Sequence, residues 1–160
     1  MEIKELTSAQ DINEIIDIYK TYNPSNEELE EAAKALREDF NEIGNNRVSF
    51  IAYDKNVAIG SVQLILKNAD NDPDLANGKT IAHIHNLRVR KDAQGKGFGS
   101  LLTQHVEKYA RDAGFKKITL GVDNWNENAI RFYKNLGYLS LKEAEGRTND
   151  EKVFYLYKII

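Results

Sequence analysis

Hydrophobic positions along the chain switch between two periods, and each switch marks an element. Residues 1–6 have the composition of a first strand, after which Ile12, Ile15, Ile16 and Tyr19 recur at helical spacing. Ser8 and Asp11 stand three apart, as at a capped helix start. Beyond a break at Tyr22-Asn23-Pro24, Ser25 and Glu28 form a capping-box signature. Leu29, Ala32, Ala33, Leu36, Phe40 and Ile43 then predict the buried face of a second helix, ending at Gly44. Its acidic start, Glu27, Glu28, Glu30 and Glu31, reads as a solvated first turn favoured by the helix dipole.

Residues 48–53 and 57–67 are β-rich runs on either side of Asp54-Lys55-Asn56, which predicts a hairpin, with Gly60 as a place for a bulge. Residues 68–79 carry Asp, Asn, Pro and Gly and predict a loop open to motion. An apolar strand starts at Thr80, and its phase shifts along its length. Ala82 and Ile84 occupy even positions, Leu87 and Val89 odd ones. A bulge at His85-Asn86 would produce that slip, and so would a central strand that is apolar on both faces.

Leu101, Leu102, His105, Val106, Tyr109 and Ala110 share one side of the next helix, and Gly114 fits the position just past its end. Residues 116–122 predict a buried strand, 123–126 a loop, 127–136 a helix closed by Gly137, and 138–142 and 153–159 two further strands. The order β-α-α-β-β-β-α-β-α-β-β belongs to an α/β chain with a mixed sheet and helices on its faces.

Composition narrows the class. At 160 residues the chain fits one domain, 1–160, able to bury a core without staples. No apolar run is long enough for a bilayer and no apolar segment opens the sequence, so no membrane is expected and a cytoplasmic location is the default expectation. The absence of Cys excludes disulfides, a thiol nucleophile and thiolate metal sites, and with three His no metal is expected. A net charge of −3 argues against nucleic acid as partner.

The chemistry is concentrated in Gln94-Gly95-Lys96-Gly97-Phe98-Gly99-Ser100, with a strand directly before it and a helix directly after. Glycine lets main-chain amides approach a ligand with no Cβ in the way. The first amides of a helix have no partner within it, and the helix dipole favours an anion there. The stretch therefore predicts a socket for the diphosphate of a cofactor. Gly95-x-Gly97-x-Gly99 is neither the dinucleotide fingerprint nor a P-loop.

A second stretch, Asn126-Glu127-Asn128-Ala129-Ile130-Arg131-Phe132-Tyr133-Lys134-Asn135-Leu136-Gly137-Tyr138, completes a pattern. Together the two resemble the GNAT superfamily of N-acetyltransferases. That family carries Gln/Arg-x-x-Gly-x-Gly/Ala at the helix after its fourth strand and Asn-x-x-Ala-x-x-x-Tyr after its fifth, commonly followed by Leu-Gly-Phe/Tyr. The resemblance covers nearly the whole chain. It implies about seven strands flanked by four helices, with acetyl-CoA in a cleft where strands four and five splay apart. Leu87, Arg88 and Val89 match the strand segment whose backbone pairs with the pantetheine arm. Gln94, Gly95, Lys96, Gly97, Phe98, Gly99 and Ser100 match the diphosphate loop, and Asn126 matches a loop asparagine that hydrogen-bonds the cofactor. Tyr133 matches the proton donor to the departing thiolate.

The residue types suit that chemistry. A thiol of pKa about 8.5 accepts a proton from a phenol of about 10 without much strain, so Tyr133 could serve as general acid with no large pKa shift. Its place on a stripe with Ala129 and Leu136 also fits a core aromatic. For the base, part of the family uses a Glu on the fourth or fifth strand, where this chain has His85 and Gly121. A neutral imidazole can accept a proton at cellular pH, which nominates His85, although a lone strand histidine is often structural, and Asp123 and the loop carboxylates stay open as alternatives. Trp125 could wall the acceptor pocket or plug the core, and Tyr22, Asn23 and Tyr138 stand where the family builds acceptor pockets.

The expected acceptor is the primary amine of a small molecule, attacking the thioester directly in a ternary complex of a monomer or homodimer. A protein N-terminus or lysine is the second reading, and a catalytically silent acyl-CoA sensor the third.

Overall fold

The computed structural model describes Met1–Ile160. The elements run β1 (Glu2–Glu5), α1 (Asp11–Lys20), α2 (Asn26–Phe40), β2 (Arg47–Asp54), β3 (Val57–Ile65) and β4 (Ile81–Val89), followed after a short 3-10 turn by α3 (Phe98–Asp112), β5 (Lys117–Asp123), α4 (Glu127–Asn135), β6 (Leu139–Glu145) and β7 (Lys152–Ile159). Seven strands form one mixed sheet in the order β1-β2-β3-β4-β5-β7-β6, and the predicted element order holds throughout. The β4–β5 pair is parallel, with Ile81–Ile84 registered on Lys117–Leu120. By contacts the chain divides into two compact units, one made of Met1–Leu64 and Asn86–Val106, the other of Ile65–His85 and Glu107–Ile160.

In the first unit, Leu6, Ile15 and Ile51 are buried beneath Leu36, Phe40, Ile43, Tyr53 and Ala58, which joins the apolar faces of α1 and α2 to β2. The α2 capping box is present. Ser25 Oγ accepts from the Glu28 amide (3.1 Å) and the Glu28 carboxylate from the Ser25 amide (2.8 Å). The start of α1 works the other way round from the prediction. Asp11 supplies the acceptor, taking the amides of Thr7 and Ser8 at 3.1 Å each. The β2–β3 hairpin turns through Lys55 and Asn56, both at positive φ, as a two-residue connection between right-twisted strands requires. Gly60 marks a close approach. A Cβ there would lie 2.8 Å from Leu102 Cδ1 and 3.1 Å from the Arg88 carbonyl oxygen.

In the second unit, β5 pairs in parallel with β4 and antiparallel with β7, and β7 carries β6 with a register shift between Ser140 and Lys142. The segment 68–79 is not the loose loop its composition suggested. Leu75 and Ala76 are buried with Ile65 and Ala69 under Leu141 and Tyr155, the Leu75 carbonyl accepts from Thr119 Oγ1, and Lys142 holds Asp72 at 2.6 Å. Three apolar residues inside a polar run, Ala69, Leu75 and Ala76, are enough to anchor it.

The two halves of β4 differ. Ala82, His83 and Ile84 are buried on both faces, and then Asn86 turns to φ +52. Asn is among the few non-glycine residues that adopt this left-handed conformation cheaply.

Candidate active site

The turn after β4 is held by the C-terminal end of α1. Tyr22 O–H donates to the Val89 carbonyl, and its oxygen accepts from Gln94 Nε2 at 2.7 Å. The Lys91 amide donates to Thr21 Oγ1 (2.9 Å), whose own proton goes to the Ile18 carbonyl (2.6 Å). So Gln94, expected at the cofactor, has its side chain on Tyr22, and the Val89 carbonyl is already engaged. The clamp fixes where the glycine segment begins.

Gly95 and Gly97 follow at φ +77 and +88, and a Cβ at either would meet no atom within 4 Å. Glycine is therefore required by backbone conformation, while the space beside it is open. Leu101 N–H to the Gly97 carbonyl (3.1 Å) is the first bond of α3, which places the amides of Phe98, Gly99 and Ser100 in its unpaired first turn. That turn has no acidic residue, and Lys96 stands beside it. An amide cluster with positive charge and no carboxylate fits a diphosphate. Thr103 Oγ1 donates to the Gly99 carbonyl at 2.8 Å, and Leu102 and Val106 are fully buried, so the helix that presents this turn is anchored along its length. Leu101, predicted to be on the buried face, is exposed instead.

Leu87 and Arg88 are half-buried in the second half of β4. The Arg88 guanidinium lies 4.5 Å from the ring centre of Tyr19 and 5.7 Å from that of Tyr22. Burial draws its pKa below the ordinary arginine value.

The second unit holds the remaining predicted residues. His83 is buried, with Nδ1 2.8 Å from Thr119 Oγ1. The single hydroxyl proton of Thr119 points at the Leu75 carbonyl (2.6 Å), which can only accept, so His83 Nδ1 carries a proton and donates. His83 is thus part of the packing that fastens the 68–79 segment. His85 is half-buried and, two residues along the strand, shares the His83 face. At Gly121 a Cβ would lie 3.0 Å from the Tyr155 ring and 3.1 Å from Val153 Cγ1. The β7 side chains fill the space in which a carboxylate from the fifth strand would have to start.

Asn126 caps α4, its Oδ1 accepting from the Ala129 amide at 3.2 Å, which leaves its side-chain nitrogen for any ligand. Trp125 beside it is 63% exposed and plugs no core. Tyr133 is buried, with ring centres 4.9 Å from Phe132 and 5.6 Å from Tyr138. Burial pushes its pKa well above the ordinary phenol value, so the expectation of a nearly unshifted group does not hold. Tyr138 is also buried and cannot line an acceptor pocket. It donates to Glu107 Oε1 at 2.9 Å, and Lys158 Nζ reaches the same carboxylate at 3.1 and 3.2 Å. Glu107 was not anticipated, because one acidic residue beside the apolar stripe of α3 looks like any solvent-facing glutamate.

The model of the acetyltransferase (GNAT) family matches residues 12–138. The thialysine N-epsilon-acetyltransferase of Sus scrofa is 36% identical over 64 residues, a stretch that spans 40% of this chain and 38% of that protein. Among solved structures, an aminoglycoside 6'-N-acetyltransferase complexed with coenzyme A superposes with a TM-score of 0.76 at 18% identity, covering 99% of this chain and 97% of that one. The ribosomal-protein-alanine N-acetyltransferase from Brucella melitensis gives 0.76 at 15% identity over the full length of both. The second and third likenesses concern the fold, and no helix of this chain is long and apolar enough to cross a membrane. With more than half of its length matched by the family model, the chain belongs to the acetyltransferase (GNAT) family.

Proposed function

We propose that this chain is an N-acetyltransferase that moves the acetyl group of acetyl-CoA to the primary amine of a small molecule. The observation that carries the reading is the open turn at Gly95 and Gly97 leading into the unpaired amides of α3, in a chain of this family. Gly95, Lys96, Gly97, Phe98, Gly99 and Ser100 would hold the diphosphate, the main chain of Leu87, Arg88 and Val89 the pantetheine arm, and the Asn126 side-chain nitrogen a further polar group. When bound, acetyl-CoA supplies an activated acetyl group on a thioester. Relatives named thialysine N-epsilon-acetyltransferase and mycothiol acetyltransferase support an amine-bearing small molecule as acceptor.

Two proton movements are left to the chain. The acceptor nitrogen has to shed a proton as it bonds to the carbonyl carbon, and His85, directly or through water, takes it. Tyr133 would be the donor of the proton that the leaving thiolate needs. Burial keeps the phenol protonated at every working pH. It also makes the donor weaker, a mismatch that would narrow if the leaving thiolate were desolvated as well.

The test is release of free thiol from acetyl-CoA across a panel of small amines and N-terminal peptides, followed with Tyr133→Phe. The expected outcome is turnover on small amines, lowered about 10²-fold in the variant with little change in the Michaelis constant for acetyl-CoA. Turnover at the wild-type rate would remove Tyr133 from the mechanism, and turnover confined to peptides would replace the acceptor class.

A further inference from the structure

Arg88 is a half-buried cation that no acid neutralises. Every other arginine drawn this far into the first unit has its carboxylate: Arg47 is held by Asp39 at 3.4 Å and Glu42 at 2.7 Å, and Arg90 by Asp92 at 3.1 Å. Arg88 has only the faces of Tyr19 (4.5 Å) and Tyr22 (5.7 Å), and Lys91 Nζ adds a second positive charge 5.7 Å from the Tyr22 ring. Withdrawing a guanidinium from water without a counter-ion is unfavourable, and cation–π contact offsets only part of that. Ring faces take up none of the in-plane N–H bonds of a guanidinium, so its N–H edge is the side that can bond. Such an edge matches a carboxylate, which accepts two parallel N–H bonds.

The tyrosines are themselves fixed. Tyr22 is bonded to both Val89 and Gln94, so the cage is built into the clamp that sets the glycine turn. Arg88 also alternates with Leu87 and Val89 along β4, so its side chain leaves the opposite side of the strand from theirs.

We infer that Arg88 is a specificity-determining residue that takes the carboxylate of the acceptor, so that the preferred substrate is an amine that also bears an acid, in the manner of an amino acid. This rests on the acetyltransferase reading above. A phosphate of the cofactor offers the same anionic chemistry, but six amide-bearing positions at residues 95–100 already match its diphosphate, and the strand segment around Arg88 matches the uncharged pantetheine arm.

The experiment compares acceptors that differ only in the acid, lysine against cadaverine and ornithine against putrescine. Binding is measured by calorimetry on CoA-loaded protein, and turnover by thiol release. The expected result is a preference for the acid-bearing partner of about 10- to 100-fold in binding. That preference collapses in Arg88→Met and is partly kept in Arg88→Lys, which restores the charge without the fork. Equal binding of each pair, binding of none of the four, or a preference that survives in Arg88→Met would overturn the inference. So would an Arg88→Met variant whose loss falls on the distinction between CoA and 3'-dephospho-CoA, because the cation would then belong to the cofactor. Acid-selective binding without thiol release would leave the Arg88 site standing and sink the acetyltransferase reading.

Discussion

A phenol buried away from water holds its proton because the phenolate would forfeit hydration that nothing inside replaces. Tyr133 and Tyr138 are both in this condition, and at Tyr138 the neighbouring Glu107 carboxylate pushes the pKa further up. Tyr53 joins them, raised first by burial and then by its bond to Glu14. In the unfolded chain the same groups ionise near pH 10. Above that pH the folded state therefore binds more protons than the unfolded state, and stability falls as pH rises. Below it both states are protonated and these groups contribute no slope. Urea titrations should show a midpoint that is flat on their account up to about pH 10 and then declines, and Tyr138→Phe should flatten the decline. The part of the phenolate absorbance that is lost in Tyr133→Phe and Tyr138→Phe should appear together with unfolding and not before it; its earlier appearance in the folded protein would contradict the burial of these two rings. The same residues bear on the rate profile. If Tyr133 is the acid it gives no alkaline limb within the working range, and His85→Ala should remove the acidic limb of kcat/KM. An acidic limb that persists in that variant would exclude His85 as base.

At the scale of elements, two glycines that look alike in the sequence do different things. Gly60 is required by packing, since α3 passes so close that Leu102 Cδ1 would lie 2.8 Å from a Cβ. Gly97 is required by its dihedral angle, in open space. Gly60→Ala should therefore cost about 1–3 kcal/mol by overpacking, and pairing it with Leu102→Val should recover part of the loss, a non-additivity readable in a double-mutant cycle. Additive losses would show that the two do not compete for space. The sequence carried most element boundaries to within a few residues because caps and turns are local: Ser25 with Glu28, Gly114, Gly137, and the Lys55-Asn56 turn. It misjudged residues whose setting depends on contacts distant in the chain. The anchoring of segment 68–79 rests on Thr119 and Lys142, and the burial of Glu107 on Tyr138 and Lys158. Neither has a periodic signature. The unpaired setting of Arg88 was equally invisible, because a partner's absence is a property of space.

For the whole molecule, the consequence of the glycine turn is thermodynamic linkage. A ligand that binds only the folded chain stabilises all of it, by about 2.7 kcal/mol at a free concentration a hundredfold above its dissociation constant. For a chain of 160 residues each kcal/mol is worth about 2–4 °C, so acetyl-CoA should raise the melting temperature by about 5–10 °C. Gly97→Asp separates the site from the fold. Aspartate tolerates the left-handed backbone better than most residues, and a Cβ meets nothing there, so the free variant should melt about 1–2 °C per half kcal/mol of strain below wild type and no lower. Its carboxylate, however, stands where phosphate oxygens would have to sit, and its melting temperature should not respond to acetyl-CoA. Tyr133→Phe should respond as wild type does, because the phenol is assigned to proton transfer and not to grip. The three outcomes together divide the labour of the molecule. If Gly97→Asp kept the full shift, the α3 turn would not be the diphosphate site, and neither the Tyr133 role nor the acceptor reading of Arg88 could retain its frame.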